Sequence, residues 1–141
     1  MIRLTADSTC DLGENIQKRG IGIKPLSVIL GDTAYSDGVD IVPQDIFNYV
    51  EKTGQLPKTA APSIADYEEF FRPYVEAGDT VIHFNISSKA SSSHSYAAEA
   101  AKSFGGKVFV VDTKALSTGQ GLVIMLAADM RDRGASAEEI V

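Results

Sequence analysis

The chain has little of what many chemistries require. Its one cysteine, Cys10, can form no disulfide within the chain. That thiol follows a strand-like segment and precedes a helix start, where a thiolate can be favoured. Neither histidine, His83 or His94, lies near it in sequence, however, so a structural thiol is the simpler reading. One cysteine and two histidines at unsuitable spacing cannot complete a zinc site without carboxylates, and no metal is expected. Basic clusters are missing too. With 13 basic against 19 acidic residues the net charge is −6, which excludes a surface built for phosphate backbones, so no nucleic-acid partner is expected. The longest apolar run, Leu122 to Ala128, is far too short to span a bilayer. The start Met1-Ile-Arg-Leu-Thr5 lacks the basic-then-apolar order of a signal peptide. A cytoplasmic protein is expected, with at most peripheral and transient membrane contact. Internal repeats, low-complexity tracts and flexible linkers are absent as well.

What is present suits one globular domain of 141 residues, 44% hydrophobic and 23% charged. A chain of that length can bury roughly two thirds of the surface it exposes unfolded. The stretch from Thr80 to Ser95 organises the rest. Its first half, Thr80-Val-Ile-His-Phe-Asn85, has the β-favouring, apolar character of a strand buried on both faces. From Ser87 to Ser95 there follow six serines, one lysine and one histidine, and Tyr96-Ala-Ala-Glu-Ala-Ala-Lys102 then reads as an alanine-rich helix running to about Phe104. A strand, a hydroxyl-rich turn and a helix make the junction at which open α/β sheets hold ligands. Strand C-termini and helix N-termini converge there, and unpaired N–H groups favour an anion.

The remaining elements repeat this alternation. Ile2 to Ala6 predicts a strand, Asp7-Ser-Thr-Cys-Asp11 a cluster of capping and turn residues, and Leu12 to Arg19 a helix stopped by Gly20. Ile21 to Leu30 predicts a longer strand interrupted by Pro25, which places it at an edge or marks a bulge. Gly31-Asp32 predicts a type II′ turn that sends Thr33 to Ser36 back as an antiparallel flap. Pro43 opens an amphipathic helix ended by Gly54. The two prolines between Gly54 and Ser63 argue against regular structure, and Ser63 caps a helix with apolar positions at Ile64, Tyr67, Phe70, Phe71 and Tyr74, kinked late by Pro73. Lys107 to Asp112 predicts another buried strand. Hydroxyls and glycines from Thr113 to Gln120 then lead into a helix so apolar that it is either buried on several sides or covered by something further. The fold class is a three-layer α/β/α domain with a mostly parallel, Rossmann-like sheet and a small antiparallel flap.

Ser136 and Glu139 form a capping-box signature, yet Val141 ends the chain two residues later. The expected division is an α/β domain over residues 1–134 and, over 135–141, the start of a helix leading towards a further domain. With so little helix to pack, residues 136–141 are expected to be disordered or held by a neighbour.

Four motifs carry a resemblance. Asp7-Ser-Thr-Cys-Asp-Leu12, Thr59-Ala-Ala-Pro-Ser63, Ile86-Ser-Ser-Lys-Ala-Ser-Ser-Ser-His94 and Val111-Asp-Thr-Lys-Ala-Leu-Ser117 with its following glycines resemble, in order and spacing, the successive motifs of the DegV family. The resemblance implies fatty acid binding. In bacteria such proteins include the carrier subunits of fatty acid kinase, so it also implies an ATP-binding kinase subunit as partner and a second domain of comparable size, absent from this chain. It further implies that Thr59 and Ser91 hydrogen-bond the fatty acid carboxylate. Around Ser91 the chain departs from the family pattern, with Ala90 for a bulky residue, Ser92 for glycine, Ser93 for threonine and His94 for an aromatic residue. A side chain at Ser92 would restrict backbone approach to a ligand. Ser8, Ser63, Ser92, Asp112 and Ser117 are further candidates for lining the site, and no cofactor is expected beyond the fatty acid itself.

Residue chemistry alone leaves other readings open. Thr59 and Ser91 are also ordinary loop and helix-start residues, and His83 inside a strand reads as a core residue. Ser91, His94 or His83, and Asp112 supply the residue types of a hydrolytic triad, although no Gly-x-Ser-x-Gly elbow supports one. A phosphate- or nucleotide-binding regulator could use the same helix N-termini, but it lacks both Gly-x-Gly-x-x-Gly and the Walker pattern.

Overall fold

Period-two alternation in two adjacent strands decides the architecture. In the computed structural model, which describes residues 1–141, β1 (Ile2–Asp7) and β6 (Thr80–Asn85) run parallel at the centre of a four-stranded sheet. The edges are β2 (Gly22–Lys24) beside β1 and β7 (Val108–Asp112) beside β6, all parallel, in the order β2-β1-β6-β7. Leu4, Ala6, Ile82 and Phe84 fill one face with Ile124, Ala127 and Ala128 of α5 (Thr118–Asp132). On the other face Val81 and Val108 meet Tyr67 and Phe71 of α3 (Ile64–Glu76) and Ala97 and Ala100 of α4 (Ser93–Ala101). This is the expected three-layer α/β/α arrangement with a parallel sheet. Full burial of one such side chain as Phe71 stabilises by about 1.5–3 kcal/mol.

A second, three-stranded antiparallel sheet forms the flap, in the order β4-β3-β5. Pro25 does more than mark an edge. It lacks an N–H to continue a ladder, and the chain changes sheets there, from β2 to β3 (Ser27–Leu30). The hairpin to β4 (Thr33–Ser36) has Leu30 opposite Thr33, with Gly31 at φ +61° as a II′ turn requires. The segment between the prolines is more regular than expected. Lys58–Ala60 forms β5, pairing antiparallel with β3, because a three-residue strand fits between Pro57 and Pro62 without using either as a donor.

The helices differ at their ends. α1 covers only Asn15–Lys18, α2 spans Pro43–Thr53, and α4 begins at Ser93, three residues before the alanine-rich run. Pro73 stays inside α3, which continues to Glu76. The C-terminal expectation is corrected: α6 (Ala137–Ile140) is ordered, with Ser136 and Glu139 in a complete capping box, Ala137 buried in the core and Ile140 packed against it. Apolar contact with α5 supplies what so short a helix lacks in propensity.

Candidate functional site

Parallel strands bring their carboxyl ends to one edge. From β1 the chain passes to β2 on one side, and from β6 to β7 on the other, so the strand order reverses between β1 and β6. A crevice opens at such a reversal, outside the strand ends. The residues placed there are Asp7 at the end of β1 and Asn85 at the end of β6, each followed by a hydroxyl-bearing loop.

The same alternation that fills the core leaves a polar stripe along the other face of both central strands. Thr5, Asp7, His83 and Asn85 are all fully buried. Asp7 is the hub. Its Oδ1 accepts from the Tyr67 hydroxyl at 3.0 Å and from Asn85 Nδ2 at 3.1 Å, and its Oδ2 accepts from the Ile86 N–H at 2.8 Å. His83 Nε2 stands 3.4 Å from Oδ1, while His83 Nδ1 meets the Thr5 hydroxyl at 2.9 Å. Burial pushes the Asp7 carboxyl up, but the neighbouring His83 ring, the Ile86 N–H and Asn85 together outweigh it and hold the group below the usual carboxylate range, while His83 Nε2 makes no hydrogen bond of its own. Tyr67 is pushed the other way, by burial first and by the Asp7 charge next, and stays a neutral phenol. The orientation of the Asn85 amide follows, since only its NH2 end can face a carboxylate; its Oδ1 is left buried without a partner.

The loop after β6 climbs from this hub to the surface. Ser91 is half-buried, and its Oγ lies 2.9 Å from the Oγ of the fully buried Ser93 and accepts from the Ser93 N–H at 3.1 Å. A hollow of about 320 Å³ opens over Ser88, Lys89, Ala90, Ser91, Ser92 and Ser95. Ser92 lies at φ −77°, ψ −3°, so the backbone there does not require glycine. Asp112 ends β7 and accepts from the Ser88 hydroxyl and N–H and from the Lys114 N–H. The Ser88 hydroxyl first, then these N–H groups, lower its carboxyl below the usual range against a small opposing effect of burial. It ties two loops together.

The other candidates are dispersed over separate elements. Ser117 caps α5 at φ +55°, ψ −128°, a region costly for a residue with Cβ, with its N–H on the Thr9 carbonyl at 3.0 Å. Ser8 Oγ accepts from the Leu26 N–H at 3.2 Å and so anchors the step from β2 to the flap. Ser63 is the N-cap of α3, exchanging hydrogen bonds with Asp66. Thr59 is exposed on β5, opposite Val28, and no hydrogen bond joins it to Ser91. A more apolar cleft of about 430 Å³ lies beside Ser8, with Leu12, Ile16, Ile23, Pro25 and Val39 in its wall. The hollow at Ser91 itself is lined by four serines with Lys89 and Ala90.

A hydrolytic triad is not assembled. Ser91 bonds to Ser93, His83 faces Thr5 and Asp7, and the Asp112 carboxylate is taken up by Ser88 and backbone N–H groups; His94 lies near enough to Asp112 to help lower its carboxyl, but no hydrogen bond joins it to Asp112 or to Ser91. Cys10 is buried, and burial pushes its thiol up. No group of His, Cys, Asp or Glu is placed to hold a metal ion, and no helix is long and apolar enough to cross a membrane. Tyr67, Ser93, Asn85 and Asp7 were not singled out as a set from sequence. The available signal was the alternation of polar residues at 5 and 7 and at 83 and 85 within otherwise apolar strands.

The family matched over residues 1–141 is the DegV family of uncharacterised proteins. A DegV domain-containing protein of Deinococcus radiodurans is 33% identical over 141 residues, covering 99% of this chain and 50% of its own length. The solved structure of a fatty acid-binding DegV family protein from Thermus thermophilus superposes with a TM-score of 0.91 at 36% identity, again over 99% of this chain and 50% of that one. A stearic acid-binding protein from Eubacterium ventriosum superposes at 0.90 with 34% identity and the same coverage. The chain spans about half the length of the curated relatives it matches. Matched along its whole length and sharing the fold of these relatives, the chain belongs to the DegV family.

Proposed function

We propose that this chain forms the head-group end of a long-chain fatty acid site, in which Thr59 and Ser91 hydrogen-bond the carboxylate and present it to an ATP-dependent kinase subunit for acyl-phosphate formation. The observation that carries the reading is the half-buried Ser91 hydroxyl, lining a hollow in the loop between β6 and α4. Support comes from the fatty acid binding of the Thermus thermophilus and Eubacterium ventriosum relatives. The division of labour follows from magnitudes. A buried methylene contributes about 0.8 kcal/mol, whereas a net hydrogen bond contributes about 0.5–1.5 kcal/mol. The acyl chain therefore supplies the affinity, and the hydroxyls supply the position.

In the intact protein, Thr59→Ala combined with Ser91→Ala is expected to weaken fatty acid binding modestly, by less than about tenfold for each hydroxyl. Acyl-phosphate formation at saturating fatty acid should fall on the order of a hundredfold, because misplacing a reacting oxygen by about 1 Å costs that much. Calorimetry beside kinase turnover measures both. Equal losses would mean uniform binding rather than positioning, and unchanged turnover would remove both residues from the site.

A further inference from the structure

A second hollow adjoins the one at Ser91, and its wall is charged. About 300 Å³ in volume, it is lined by Ser87, Ser88, Lys89, Asp112 and Lys114, and it shares Ser88 and Lys89 with the hollow over Ser91. No apolar side chain lines it, so an acyl chain would gain nothing there. The two loops that carry it are fixed to each other. Ser87 donates its N–H to the Ala115 carbonyl at 2.9 Å, Ser88 its N–H to Asp112 Oδ1 at 3.1 Å, and the Thr113 hydroxyl donates to the Asn85 carbonyl at 2.7 Å. Both carboxylate oxygens of Asp112 are occupied within these loops, by the Ser88 hydroxyl and N–H and by the Lys114 N–H. The two ammonium groups are not. Lys89 and Lys114 are both exposed, and neither has an acidic group within ion-pair distance. Two unpaired lysines thus outweigh one committed carboxylate, in a chain whose net charge is −6.

Acyl-phosphate formation changes the charge of the head group. A carboxylate oxygen attacks the terminal phosphorus of ATP, the bond from that phosphorus to the bridging oxygen breaks, and its electron pair leaves with ADP. The head group passes from one negative charge to a phosphoryl group with about two. Resting on the reading of Ser91 as a head-group ligand, we propose that Lys89 and Lys114 form a phosphoryl subsite beside it, which favours the phosphorylated head group over the carboxylate. A carboxylate on Ser91 reaches only the wall that the two hollows share. A phosphoryl group attached to it extends past Ser88 and Lys89 into the second hollow, where its terminal oxygens meet both ammonium groups, each acting as a point charge.

The test compares oleate with its β-ketophosphonate, the acyl phosphate analogue in which CH2 replaces the bridging oxygen, by calorimetry on the intact protein. Both carry the same chain, so their affinity ratio reports the head group. Lys89→Met and Lys114→Met should each lower the phosphonate-over-oleate ratio by about 1.5- to fivefold, the range of an exposed ion pair, and together by more than either alone. Both side chains are exposed, so neither change leaves a buried group unpaired. Lys89→Arg and Lys114→Arg keep the charge and should keep most of the ratio, and added salt should shrink the parent's ratio more than the double variant's. Lys107→Met, at the opposite end of β7, removes the same charge and should leave the ratio alone. A ratio unmoved by Lys89→Met and Lys114→Met, or one that falls as far with Lys107→Met, would overturn the inference. Inorganic phosphate that saturates the protein at the concentrations the phosphonate needs would overturn it too, since that marks a site for free anions. Failure of the head-group reading shows differently: Ser91→Ala would leave oleate bound at the parent's strength, and the inference would fall with that reading.

Discussion

Asp7 keeps its charge out of water because four groups face it: the Tyr67 hydroxyl, the Asn85 amide, the Ile86 N–H and His83. A carboxylate held below its ordinary value of 3.8 contributes stability that is fully present above that pH and is lost as pH falls through the folded value. Asp7→Asn would turn an amide NH2 or a weaker acceptor towards those donors. It is expected to cost about 1–3 kcal/mol at neutral pH, the penalty of buried groups left unpaired. The variant's urea midpoint should also fall less steeply than the parent's between pH 5 and the acid limit. Parallel midpoint curves for parent and variant would show that the Asp7 carboxyl binds its proton equally well folded and unfolded, and a parent that falls less steeply would show that Asp7 is not ionised in the folded state. Other acidic residues, Asp66, Asp79, Asp112 and Asp132, are lowered as well, so only the difference between the two proteins isolates Asp7. Little of this was legible from sequence. Asp7 beside Ser8 and Thr9 has the composition of a cap, and nothing local shows that its partners lie 60 and 78 residues away. Ser91 was legible only through its motif, and its hydrogen bonds to Ser93 had no signal in the serine run itself.

At the level of elements, close approach decides more than propensity. Gly121 begins the buried side of α5, and a Cβ there would meet the Cys10 carbonyl oxygen at 2.8 Å. Alanine would gain about 1 kcal/mol in helix propensity, but the obstacle is backbone and α5 cannot yield without lifting from β1. Gly121→Ala is therefore expected to lower the urea midpoint, and a raised midpoint would show that α5 has slack. Pro73 makes the opposite case. It is exposed inside α3 and forfeits one helical hydrogen bond, so Pro73→Ala should raise thermal stability by about 1 kcal/mol or more. Sequence periodicity found α3, α5, β1, β6 and β7 because each shows its buried face within one segment, and α2 because its apolar residues recur at helical spacing, although none of them is buried. It missed β5, whose three residues are ordered by pairing with β3, and it underrated α6, which is held by contact with the core.

Across the whole molecule, alternating strands and helices were enough to read three layers and a parallel sheet, since a right-handed crossover leaves few other solutions. The sheet change at Pro25 was not, because a proline between two strand-like runs reads equally as a bulge. α5 carries both sides of its ambiguous pattern: Ile124, Ala127 and Ala128 are in the core, while Leu122 and Leu126 remain 67% and 61% exposed. Such a face, together with the head-group site proposed at Ser91, suits a protein that holds an apolar chain. The most direct measurement is native mass spectrometry of the intact protein purified from cells. The account predicts a discrete added mass equal to a long-chain fatty acid, lost on delipidation and restored by adding oleate. A protein that is bare as purified and takes up no oleate, or one that carries a nucleotide mass instead, would contradict it.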